Sequence, residues 1–124
     1  MTHWTDSLPS DACKPAVDWC RTMPDFATAW QSCQVGGWME WLLNRLDAWP
    51  SGVWAEYCRV TTPACAEFDR VSATALAEYR RATATAGVET AGADYDRTTA
   101  TAGAEYDRVR ADYLRPYMPK LAQD

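Results

Sequence analysis

Few side chains in this chain could do covalent or metal chemistry: one histidine, His3, and five cysteines, Cys13, Cys20, Cys33, Cys58 and Cys65. A catalytic thiol needs a base beside it, and none is visible. A structural zinc site draws on paired ligands two to four residues apart, a spacing that His3, Cys13, Cys20 and Cys33 do not have. The acid pairs Asp94/Asp96 and Glu105/Asp107 stand two apart, so on a helix they point in different directions and form no shared acid–base site. No phosphate-binding loop, zinc-protease helix or nucleophile elbow is present. These residues predict a non-enzymatic chain with no catalytic set, no cofactor and no bound metal. The thiols read as small apolar residues, and a zinc-stabilised module is the minor alternative.

Most of the information lies in the second half, where an eleven-residue phrase recurs: AEYCRVTTPAC from Ala55, AEFDRVSATAL from Ala66, AEYRRATATAG from Ala77, ADYDRTTATAG from Ala93 and AEYDRVRADYL from Ala104. Its third, sixth and tenth positions give the stripe Tyr57, Val60, Ala64, Phe68, Val71, Ala75, Tyr79, Ala82, Ala86. Eleven residues in three turns is about 3.67 per turn, so the stripe runs nearly straight along an α-helix. Every copy carries an acid at position two and Arg at position five, from Glu56/Arg59 to Glu105/Arg108, a spacing that places them together on a solvated face.

Tyr79 and Tyr95 are sixteen residues apart, which rotates the stripe by roughly 160° along a continuous helix. Gly87 and Gly92 bracket the slip, so the sequence predicts an αα-hairpin turning over 87–92. Pro63 predicts that the first long helix starts there, with Thr61 and Thr62 as caps and 53–60 as a separate lead-in. Pro116 and Pro119 end the second helix and leave Tyr117 and Met118 as a short exposed or docking element, with fraying of the tail as the alternative.

The first half has three short amphipathic phrases: Asp11 to Met23, with Asp11 or Ser10 as cap and Pro15 near its first turn; PDFATAWQSC, ended by Val35-Gly36-Gly37; and WMEWLLNRL. Each is too short to persist alone. Trp30, Trp38 and Trp41 fall at core spacing, whereas Trp4, Trp49 and Trp54 lie near segment edges and are the exposed candidates. The expected fold is all-α, with short N-terminal helices (1–52) packed on a long antiparallel αα-hairpin of eleven-residue repeats (53–124), as one compact unit.

Two stretches carry a resemblance. DACKPAVDW followed by FATAWQSCQVGGWMEWLL resembles a segment of bacterial and phage immunity-protein-like sequences, with Ala12, Cys13, Ala16, Trp19, Ala29, Trp30, Cys33, Gly36, Trp38, Met39, Trp41 and Leu42 in register and Gly37 where that pattern has an acid. TTPACAEFDRV is similar to the AEYxRVxAPA repeats of phage-associated proteins. The resemblance implies a helical fold and a bacterial or phage setting, and no activity.

A formal charge of −5 disfavours direct nucleic-acid binding. No apolar run approaches the roughly 20 residues of a membrane span, and the expected location is the cytoplasm. The leading expectation is a phage-encoded protein that binds a host or phage protein and inhibits a host defence complex by occlusion, in the manner of an anti-CRISPR. Its candidate contacts are Trp49, Trp54 and Tyr117, with the acids Glu89, Asp94 and Asp96. A self-associating scaffold is the alternative, so a homo-oligomer is allowed.

Overall fold

The computed structural model describes residues 3–85 and 88–121. It is all-helical, with no strand among the described residues: α1 (Lys14–Cys20), α2 (Phe26–Ser32), α3 (Gly36–Arg45), α4 (Val53–Thr85) and α5 (Val88–Leu114), with 3₁₀ turns at Trp4–Ser7 and Arg115–Tyr117.

α4 and α5 lie side by side along most of their length. Ring pairs Tyr57–Tyr113, Phe68–Tyr106 and Tyr79–Tyr95, with centroids 5.7, 5.9 and 5.7 Å apart, descend α5 as they ascend α4, so the two run antiparallel. The connection at 86–87 lies outside the described residues. Residues 88–92, expected within a turn, are instead helical, because α5 already begins at Val88. A Cβ at Gly92 would sit 4.0 Å from the Tyr79 ring, and one at Gly103 3.4 Å from the Phe68 ring, so both glycines lie under aromatic rings of α4.

α4 does not start at Pro63. It runs through the proline from Val53. Proline removes one N–H and crowds the carbonyl a turn earlier. Just upstream, the Thr61 and Thr62 hydroxyls donate to the carbonyls of Tyr57 (2.7 Å) and Cys58 (2.5 Å). Side-chain bonds of this kind accompany helix bending, and here they keep the turn before the proline hydrogen-bonded, where capping had been expected.

The N-terminal helices pack over the open end of this pair. α1 starts late, with Cys13 as its N-cap and no side-chain cap bond, while Asp11 pairs with Arg45 at 3.1 Å instead of capping. Asp25 caps α2, accepting from the Thr28 N–H at 2.7 Å, and this hydrogen bond holds its carboxyl below the usual range. The glycines expected to separate α2 from α3 form the first turn of α3. The reason is close packing: a Cβ on Gly36 would lie 2.6 Å from the Asp107 carbonyl and 2.7 Å from the Ala111 nitrogen.

One core joins the short helices to the ends of the long ones: Trp30, Cys33, Met39, Leu42, Leu43, Tyr57, Ala111, Leu114 and Leu121. The tail does not fray as far as Leu121, which is buried. Arg115 ties it down by donating from Nη1 to the carbonyls of Gln31 and Cys33 at the end of α2, while its own carbonyl accepts from Trp30 Nε1 at 2.9 Å. Trp41, expected in the core, is 36% exposed, because α5 packs on the first turn of α3 through Gly36, away from its position.

Candidate functional site

Five aromatic side chains, Trp49, Trp54, Tyr57, Tyr113 and Tyr117, converge where the start of α4 meets the end of α5. Tyr57 is the hub and is fully enclosed. Its ring lies 5.1 Å from Trp49, 5.9 Å from Trp54 and 5.7 Å from Tyr113, and Tyr113 in turn lies 5.7 Å from Tyr117. Trp49 and Trp54 meet edge to face at 4.8 Å, an arrangement that ring quadrupoles favour. The loop after α3 makes this possible: Asp47 at φ 50 and Gly52 at φ 80 turn the chain back, and Asp and Gly tolerate the left-handed region best. Asn44 Oδ1 accepts from Trp49 Nε1 at 2.6 Å and holds the indole. Trp54 is 47% exposed, and Met118, the residue after Tyr117, is 44% exposed.

Beneath the rings lies a polar cluster. Tyr57 donates its hydroxyl to Glu40 Oε1 at 2.6 Å, and Arg110 Nη1 stands 3.8 Å from the same oxygen. Arg110 Nη2 donates to Asp107 Oδ1 at 2.6 Å, the guanidinium lies 4.1 Å over the Tyr106 ring, and Asp107 Oδ1 also accepts from the Gly37 N–H at 3.1 Å. An acid from α5 thus meets an orphan N–H at the start of α3, that of Gly37. Burial, and then the hydrogen bond to Glu40, push the Tyr57 phenol far above its ordinary value. Burial works against the Arg110 charge, but Asp107 and the neighbouring tyrosines outweigh it and hold the guanidinium protonated. Tyr113, which donates to Glu56 at 2.9 Å, is pushed up to about 12 by desolvation and then by that bond.

The structure brings Trp49, Trp54 and Tyr117 together, although Trp49 and Tyr117 are half-buried supports and only Trp54 stands out. Asp94 and Asp96 are exposed and lie elsewhere, about 27 Å along α5 from Tyr113 at the rise of an α-helix. The side chain of Glu89 lies outside the described residues. Tyr57 and Tyr113 belong to the aromatic end and were missed as site residues, whereas Met118, expected with Tyr117 as an exposed or docking element, is exposed. Antiparallel pairing of the first repeat with the last is the signal that would have joined Tyr57 to Tyr113.

The acid–Arg pairs form at Glu67/Arg70, Asp94/Arg97 and Glu105/Arg108, all exposed. Among the described residues no three His, Cys, Asp or Glu side chains come together in a way that could hold a metal. Cys20 and Cys33 line an apolar pocket with Trp19, Phe26 and Trp38. Burial there raises both thiols, Cys20 to about 11, so they stay protonated and unreactive at neutral pH. No described helix is long and apolar enough to cross a membrane. No family model matches this chain, nor does any curated protein or solved structure.

Proposed function

We propose that the chain is a non-enzymatic protein-binding protein that covers a surface of its partner with its aromatic end. The observation that carries this reading is Trp54: a large indole, nearly half exposed, seated on Trp49 and Tyr57. Tryptophan dominates interface energetics, and an aromatic already held in place loses little freedom on binding. Met118 extends the patch. In this reading the two long helices are a hairpin scaffold of eleven-residue repeats that presents the patch. The resemblance to phage-associated sequences supports a phage-encoded protein acting on a host protein, with occlusion of a defence complex as the consequence.

The test is a photo-crosslinking residue at the exposed position 55, beside an intact Trp54, in the full chain, expressed in a host whose defence system restricts an infecting phage. One host protein should be captured, and Trp54→Ala should abolish both capture and phage protection while the circular dichroism stays helical. Protection that survives both Trp54→Ala and Met118→Ala would reject the proposal.

A further inference from the structure

Beyond the aromatic end, α4 and α5 continue as a pair with little covering. Between 62 and 110 only Ala75 and Ala91 are buried among the described residues. Ala64, Phe68, Val71, Tyr79 and Ala82 of α4 form the floor of an open groove between the helices. A cleft of about 740 Å³ is floored by Phe68, Val71, Ala102 and Tyr106. A second, of about 150 Å³, continues it over Tyr79, Ala82 and Tyr95, and the two share Thr98. From Pro63 to Ala82 the groove runs roughly 28 Å at the rise of an α-helix. Its floor follows the three-four-four spacing of the repeat, which another helix of similar period can match.

The rims decide what fits. Glu67, Glu78, Asp94 and Glu105 line the groove, and among its described lining residues the one base is Arg97, which pairs with Asp94. Arg70 and Arg108, which pair with Glu67 and Glu105, are not among the lining residues. A second copy of the chain would set these acids against their own images, a juxtaposition that disfavours association. We propose that the α4–α5 groove binds an amphipathic helix of a partner protein, one with an apolar stripe flanked by Lys and Arg. This surface is separate from the aromatic end, and it can stand or fall without it.

The test uses the full chain and two synthetic helices, each two repeats long, with the same Leu/Ala stripe flanked by Lys in one and by Glu in the other. The Lys-flanked helix should bind at least about tenfold more tightly, and added salt should weaken it. Glu78→Lys combined with Asp94→Lys should remove that preference, Ala102→Phe should block binding by filling the floor, and Trp54→Ala should leave it unchanged. Circular dichroism checks that each variant is folded. Equal affinity for the two helices, or binding of neither, would overturn the proposal. So would sedimentation of the wild-type chain as a dimer that Ala102→Phe dissociates, because the occupant would then be a second copy.

Discussion

Gly36 and Arg110 meet at the closest approach of α3 to α5: a Cβ on Gly36 would stand 2.3 Å from the Arg110 Cβ. The obstacles around it are backbone and first side-chain atoms, which cannot swing aside. Gly36→Ala should therefore force the helices apart and destabilise the fold by about 1–3 kcal/mol. At Gly37 the nearest atom is Arg110 Nη2, at 3.1 Å, the end of a flexible side chain. There the gain in helix propensity offsets the crowding, and Gly37→Ala should change stability by less than about 1 kcal/mol. Urea denaturation of the two variants checks the contrast.

Tyr57→Phe removes the hydroxyl that Glu40 accepts and leaves a half-buried carboxylate with only a distant Arg110. A cost of about 1–3 kcal/mol at neutral pH follows. The pH dependence has a definite sign. The phenols of Tyr57 and Tyr113 are held above their ordinary values in the folded chain, so the unfolded chain loses these protons first. Their contribution is full below pH about 10 and is lost as pH rises through the folded values, beginning with Tyr113 near 12. Thermal melts from neutral to alkaline pH should fall steeply above about 10, and less steeply in the Tyr57→Phe, Tyr113→Phe double variant.

Pro63 sits inside α4, where proline costs about 3 kcal/mol relative to alanine. Part of that is recovered because proline also restricts the unfolded chain. Pro63→Ala should stabilise the protein by about 1–2 kcal/mol. Adding Thr61→Val, which removes the hydroxyl bonded to the Tyr57 carbonyl, should matter less in the Pro63→Ala background than in the wild type. A double-mutant cycle by urea denaturation measures the difference.

The helical character of the chain was legible because the repeat closes on a helical period and strand alternation does not. Pro63 misled because proline is a stop signal only when nothing else holds the preceding turn, and two adjacent threonines do so. Trp41 misled because helical spacing marks one face of α3, while burial depends on where α5 touches it, which Gly36 decides. The tail was unreadable for a similar reason: Leu121 is held by a core assembled from residues as distant as Trp30. Of the candidate site, the tryptophans near the Pro50 turn were legible as edge residues. Their supports, Tyr57 and Tyr113, were not, since they come together only when the first repeat meets the last.

Trp49 and Trp54 offer a direct measure of how that edge is held. Trp49 packs on Tyr57, is hydrogen-bonded to Asn44 and is half-buried, whereas Trp54 leans on it edge to face and is nearly half exposed. Trp54→Ala removes its ring contacts with Trp49 and Tyr57 and little else, so it should cost about 0.5–1.5 kcal/mol. Trp49→Ala also exposes Tyr57 and strips the Asn44 bond, and should cost about 3 kcal/mol, within the range for large aromatic truncations. The coupling energy between the two, from a double-mutant cycle, should be close to the whole cost of Trp54→Ala. That result would mean that the exposed indole is positioned mainly by Trp49, so that Asn44→Ala, which frees Trp49 without touching Trp54, should loosen the patch and weaken partner capture at position 55.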